Sequence, residues 1–360
     1  MYKTKVRHRL FEIFRIFCVI FTLVCILLRP AVAAEGVRQG LLLCCNTVIP
    51  SIFPFLVLTP LLLYGSCSRL FGLLLLPYTR LLGIRSPKAP AALLLGLLGG
   101  FASGAAGVAT LTDAGDITPK EAEILLCCTV NAGPAFVVSG VGSAMLGNLT
   151  AGWFLFAALS AASFCCGLCA TAFSSKQSVV PPSNPSFTQD TSQTLVSALK
   201  SAVRSMLTLC GFITFFAFLQ HTLLPQNTPY AARFLSCMLL EVTSACRLAC
   251  EGMPALRLFL CCASLSVMGC SILLQVRALM PPQVRLAPLI KTRLLHLPLS
   301  LLFLSALLHF FPLAHPAYFG LLKDPAYLQM PIDVIPLVFF LFCAVVCSLP
   351  APLPFPKKRL

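Results

Sequence analysis

Two small groups of polar residues stand inside long apolar runs. Ser103 and Gly104 sit in a Gly/Ala/Ser-rich segment, and Asn131-Ala132-Gly133-Pro134 interrupts the apolar run that follows it. In the second half, Glu241 stands among apolar residues with Thr243, Ser244 and Arg247 close behind. Hydroxyl, amide and exposed backbone groups at such breaks recognise a small solute through hydrogen bonds. Hydrocarbon cannot satisfy free backbone N–H and C=O groups, so a segment broken by Gly and Pro between membrane spans must line a polar cavity or pack on protein. A carboxylate inside a span is costly and is a functional candidate by default; Glu241 is therefore assigned to cation coupling or to structure, with an internal pair to Arg247 as the structural alternative.

The chemistry indicated is recognition rather than catalysis. The chain has no dinucleotide-binding glycine loop, no P-loop lysine motif and no HExxH. Phe101-Ala102-Ser103-Gly104 is not a nucleophile elbow, since no strand-turn-helix pattern surrounds it. His221, His296, His309 and His315 fall near expected span ends, where an interfacial place explains them. Cys166 and Cys169 form a CxxC inside an apolar run without a second ligand pair, and most of the 19 cysteines lie in similar runs as small hydrophobes. The expectation is a non-enzyme without cofactor or metal.

These groups need a membrane scaffold. Of 360 residues, 58% are hydrophobic and only 10% charged, whereas soluble domains are about a quarter charged. The fold class is an all-α polytopic membrane protein. At roughly 20 residues per span, about eight to ten membrane segments fit, in two related halves with broken helices or re-entrant hairpins. The formal net charge of +15 fits basic loops at an anionic membrane face and also suits an anionic solute. The basic residues are scattered through short loops, which excludes a nucleic-acid partner.

In chain order, residues 1–35 form an N-terminal membrane span. Its basic start and Ala-rich end are signal-peptide-like, but the apolar pattern continues at once and favours an uncleaved span. Residues 36–173 form the first half. There Pro50, Pro54 and Pro60 predict a kinked span, and residues 70–82 a short span or interfacial helix. Gly96, Gly100 and Gly104 give small-xxx-small spacing for close helix approach. Thr118-Pro119-Lys120-Glu121 reads as a capping box, and residues 123–147 as a hairpin turning at Asn131–Pro134. Residues 174–193 are a polar, Pro-rich linker. Residues 194–349 form the second half, in which Ser264, Ser266, Gly269, Ser271 and Gln275 mirror the small and polar character of residues 99–110. Residues 350–360 are a basic tail. Basic residues at both ends place both termini in the cytoplasm and make the number of crossings even.

The order of motifs resembles the sporulation integral membrane protein YlbJ family, whose members carry nucleoside-recognition (Gate) domains. The matching pieces are GLLLCCNTVIPSIFPF, GGFASGAAGVATLTDAGDITPKEAEILLCCTVNAGPAFVVSGVG, GFITFFAFL, LLEVTSA and SVMGCSILLQV, spread over most of residues 36–280. Ala105-Ala106 stands where the family usually has a Tyr-Pro pair. The resemblance implies a fold related to concentrative nucleoside transporters and a role in endospore formation. It also implies transport of dipicolinate from the mother cell across the outer forespore membrane. The expected partners are a small anionic solute, the lipid bilayer and a coupling proton or sodium ion. Ser103, Gly104, Asn131, Gly133, Pro134, Thr243 and Ser244 are the expected solute-binding residues. A nucleoside-type solute and a non-transporting sporulation scaffold are the alternatives.

Overall fold

The computed structural model describes residues 19–63, 67–173, 195–224 and 227–311, together with Ile13, Ile16 and Phe17. The expected linker 174–193, the last span and the basic tail lie outside the described residues. Among the described residues no strand occurs. Six helices are long and apolar enough to cross a membrane: Pro30–Leu58, Ala89–Asp113, Leu149–Ala172, Leu195–Leu223, Pro254–Leu279 and Ala287–Phe310. The fold is that of an all-α polytopic membrane protein.

Helix α1 (Val19–Leu28) precedes α2 (Pro30–Leu43), which runs through a π-turn, π1 (Cys44–Val48), into α3 (Ile49–Leu63). Pro50 and Pro54 follow the π-turn, where the widened winding accommodates a missing N–H donor. Helix α4 (Cys67–Leu81) is short and amphipathic and packs on the next helix, α5 (Ala89–Asp113).

Helix α5 does not cross. Gly100 has φ 81° and ψ −163°, a conformation open to glycine, and the chain reverses there. Gly107 lies against Ala92, and the Cβ position of Gly104 is 2.8 Å from the Gly96 Cα. Residues 89–99 and 101–113 are thus antiparallel limbs of a re-entrant hairpin. The small-residue spacing serves contact within this hairpin, with the Thr129 carbonyl wedged between Gly96 and Gly104. An ion pair between Lys88 and Asp116 (2.8 Å) closes the hairpin at its base.

Helix α6 (Pro119–Thr129) starts on the predicted capping box: the Thr118 hydroxyl accepts the Glu121 N–H, and the Glu121 carboxylate accepts the Thr118 N–H at 2.8 Å. The chain then breaks over residues 130–134 and resumes as a π-helix, π2 (Ala135–Met145). Helix α7 (Leu149–Phe173) returns antiparallel. Gly152 at its start lies on Val138 and Gly142, and Gly167 near its end on Cys128. Together α6 and π2 therefore follow the whole of α7. They form one discontinuous span, and the hairpin expected within residues 123–147 is replaced by a full crossing. The turn inside the membrane belongs instead to Gly100, because only glycine adopts that backbone without a Cβ clash.

The second half repeats this unit. Helix α8 (Leu195–Leu223) packs along α2 and α3. Helices α9 (Tyr230–Leu240) and α10 (Val242–Glu251) fold back on each other at Glu241, since the Tyr230 hydroxyl donates to the Leu248 carbonyl at 3.1 Å. Helices α11 (Arg257–Val267) and α12 (Gly269–Leu279) form a second discontinuous span, broken where Met268 and Gly269 take φ 70° and 71°. Helix α13 (Ala287–Phe310) follows and packs on α7 and α11. Residues 255–280 thus correspond by connectivity to α6–π2. The glycine-rich residues 99–110, which their composition had been expected to mirror, belong to the first hairpin.

Each hairpin tip rests on the break of the span that follows it. Gly133 lies with its Cβ position 2.8 Å from the Gly100 nitrogen, and Gly269 with its own 3.2 Å from the Leu240 carbonyl and the Glu241 nitrogen. Beyond the breaks the units interlock: π2 packs on α10, and α12 packs on α5. A span that continues past one tip meets the other hairpin, so the two hairpins enter from opposite faces and their tips meet between them.

Candidate functional site

The two tips and two breaks each leave a pair of half-helix ends at mid-depth, eight in all, with unpaired backbone groups. Two buried charges answer two of these ends. The Glu241 carboxylate, 1% exposed, accepts the Thr243 N–H at 2.8 Å and the Ser244 N–H at 2.6 Å. It caps α10, where the helix dipole favours negative charge. Arg247 is not its partner; it binds Glu251 at 3.2 Å, because the cap turns Glu241 onto the first N–H groups of α10 while Arg247 lies with Ser244 and Glu251 on the stripe of α10 that lines a cavity.

The opposite charge sits at the first break. Arg293, on α13 and 6% exposed, donates from Nη2 to the Val130 carbonyl at 2.9 Å and the Cys127 carbonyl at 3.4 Å. It covers the C-terminal end of α6, where the dipole favours a cation. Its Nε and Nη1 have no protein partner, and among the described residues no carboxylate pairs with it. The next residue along the break, Asn131, is 2% exposed, and neither its Oδ1 nor its Nδ2 is bonded. Buried polar atoms are bonded in the great majority of cases, so the unsatisfied Asn131 amide and Arg293 guanidinium, both at the first break, are candidates for holding a ligand. One turn further along α13, His296 is fully buried. Its Nε2 meets the Ser163 hydroxyl at 3.0 Å and the Leu159 carbonyl at 3.2 Å, and its Nδ1 is unpaired. The interfacial place expected for His296 is corrected: α13 starts at Ala287, earlier than the apolar run alone marks, and this carries His296 to the interior.

The expected solute-binding residues divide by location. Asn131, Gly133 and Pro134 form the first break, with Gly133 against the hairpin tip and Pro134 leading into π2. Thr243, 3% exposed, and Ser244 form the first turn of α10. Ser103 is half-buried just past the Gly100 tip, and Gly104 is taken up by packing on Thr129 and Gly96. Arg293 was missed by the sequence reading, because an arginine directly before an apolar run reads as an interfacial residue that snorkels to the headgroups. The second break was missed as well, because Met268 carries no composition cue for a left-handed residue.

Among curated proteins, the sporulation integral membrane protein YlbJ of Bacillus subtilis (strain 168) is 28% identical over 159 residues. The match covers 44% of this chain and 39% of the relative, so it takes in about two fifths of that protein's length. No family model matches the chain, and no solved structure matches it. The chain is an integral membrane protein with a sporulation protein as its relative, as the order of its motifs led us to expect.

Proposed function

We propose that the protein transports a small anionic solute, dipicolinate, across the outer forespore membrane during sporulation, with the binding site between the two hairpin tips. The observation that carries this reading is the unsatisfied pair at the first break: the Asn131 amide and the Arg293 guanidinium, buried and without a carboxylate partner. A carboxylate solute supplies what that pair lacks, acceptors for Nε and Nη1 of Arg293 and for Nδ2 of Asn131. Planar, bidentate recognition of a carboxylate is the task for which guanidinium is suited. Glu241 is an unfavourable neighbour for an anion only while its charge is free; here both its oxygens are engaged by the α10 cap. Two hairpins from opposite faces give each side of the membrane its own movable barrier over one site, the arrangement that alternating access requires. A proton or sodium gradient is the proposed driving force.

Uptake of radiolabelled dipicolinate into proteoliposomes of the purified protein, with uridine as control solute and imposed proton or sodium gradients, tests the proposal. Saturable dipicolinate uptake exceeding that of uridine is expected. No uptake of dipicolinate by folded protein under either gradient overturns transport and leaves a non-transporting scaffold.

A further inference from the structure

One opening in the protein lies away from the central pair, on the side of the second hairpin. A cavity of about 490 Å³ separates α2, α8, α9 and α10, a volume in the range of small-molecule sites. It runs the length of α10, from Glu251 in the last turn to Ser244 in the first. That is about 10 Å along the helix axis. Its mouth is therefore on the face from which the second hairpin enters, and its floor is beside the capped tip.

Its wall carries two carboxylates and two guanidiniums, Glu35, Glu251, Arg233 and Arg247, but Arg38 reaches Glu35 from outside the lining, so one guanidinium is left without a carboxylate. Glu251 is held by Arg247 at 3.2 Å, and Glu35 by Arg38 at 2.7 Å and Gln39 at 2.6 Å. Arg233, which also lines the cavity, has no acidic partner within ion-pair distance among the described residues. Deeper in, Gln220 is 6% exposed; its Oε1 accepts the Cys237 thiol at 3.2 Å, and its Nε2 has no partner. A buried amide donor left unpaired on the wall of this cavity, below a guanidinium without a counter-charge, suits an acceptor-rich anion that also has an apolar body.

We infer that this cavity is an anion-binding vestibule, in which Arg233 attracts a small carboxylate solute and Gln220 receives it on the way to Ser244. The inference deepens the transport reading by naming the side and the residues of first contact, and it rests on that reading for the solute class alone. The binding itself stands or falls separately. An exposed guanidinium attracts the anionic headgroup of a lipid by the same chemistry, so the test uses the full chain in nanodiscs of neutral phosphatidylcholine, with a parallel set containing phosphatidylglycerol.

Equilibrium binding of radiolabelled dipicolinate is measured for wild type, Arg233→Gln, Gln220→Leu and Asn131→Ala, at low and at high NaCl. Arg233→Gln is expected to weaken binding at least fivefold at low salt and to remove most of its salt dependence, because the attraction is that of an exposed charge. Gln220→Leu, nearly equal in volume, is expected to weaken binding at both salt concentrations, and both variants should keep the wild-type circular dichroism spectrum. Wild-type affinity in Arg233→Gln, or no binding by the wild type in neutral nanodiscs, overturns the vestibule. Binding that phosphatidylglycerol alone abolishes assigns Arg233 to lipid and overturns it too. If Asn131→Ala leaves uptake intact while Arg233→Gln loses binding, the central-site reading fails and the vestibule survives.

Discussion

At the scale of single residues, the interior holds a carboxyl and a guanidinium side chain in complementary places. A carboxylate stands at a helix N-terminus and a guanidinium at a helix C-terminus, so each is stabilised by the backbone end it faces. They differ in what is left over. Glu241 spends both oxygens on the cap, whereas Arg293 keeps two nitrogens unpaired. Arg293→Gln should therefore act twice. It leaves the Cys127 and Val130 carbonyls poorly paired, at a cost of about 1–3 kcal/mol, seen as a lower thermal midpoint. It also removes the solute's counter-charge, lowering dipicolinate uptake at least tenfold. Arg293→Lys keeps the charge without the fork and should recover part of the uptake; wild-type uptake by a folded Arg293→Gln protein would show that the charge is not used. Glu241 and Asn131 were legible in the sequence, because a polar residue in an apolar run is conspicuous. Arg293 was not, because it lies at the edge of such a run, and only the early start of α13 carries it inward.

At the scale of elements, the site is made by backbone that stops and restarts. The first tip turns at Gly100 and the second at Glu241, and each meets a break in the next span. The Gly100–Gly133 contact has no room for a side chain: a Cβ on Gly133 would lie 2.8 Å from the Gly100 nitrogen and 3.0 Å from its Cα. Gly133→Ala should thus displace the first hairpin tip and abolish uptake, with a clear drop in thermal midpoint. Gly115→Ala is the matched control. Its φ of 70° makes the substitution mildly strained, but nothing lies within 4 Å, so a loss of about 1 kcal/mol and normal uptake are expected. Equal effects of the two would mean that the tip–break contact is not special. The breaks at Asn131–Pro134 and at Glu241 were visible as Gly, Pro and polar interruptions. Which of them reverses the chain was not, since a reversal and a simple gap have the same local composition. That distinction lies in long-range contacts, such as Gly107 on Ala92 and Tyr230 on Leu248.

At the scale of the molecule, two hairpins from opposite faces give the protein a direction. Arg80, Arg85, Lys88, Lys120, Lys200, Arg204, Arg277, Arg285 and Lys291 lie toward the helix ends on the face of the first hairpin, against Arg29, Arg38, Arg233, Arg247 and Arg257 on the face of the second. The positive-inside rule then puts the first hairpin's base in the cytoplasm. An epitope inserted after Gly115 should be reached by antibody only after permeabilisation, and one after Met253 in intact cells; the reverse pattern would invert the orientation and place the vestibule inside. That the chain is a helical membrane protein was plain from 58% hydrophobic and 10% charged residues. The internal repetition was readable only as a faint echo, because it is preserved in connectivity while the residues at the corresponding breaks differ, Asn-Ala-Gly-Pro in one and Met-Gly in the other. The central claim is that a carboxylate solute is held where Asn131 and Arg293 are unsatisfied. Initial-rate uptake of radiolabelled dipicolinate into proteoliposomes, compared between wild type and Asn131→Ala, tests it most directly. We predict saturable wild-type uptake that falls at least tenfold in Asn131→Ala, with unchanged helicity and membrane insertion; equal uptake by the two proteins would contradict the account.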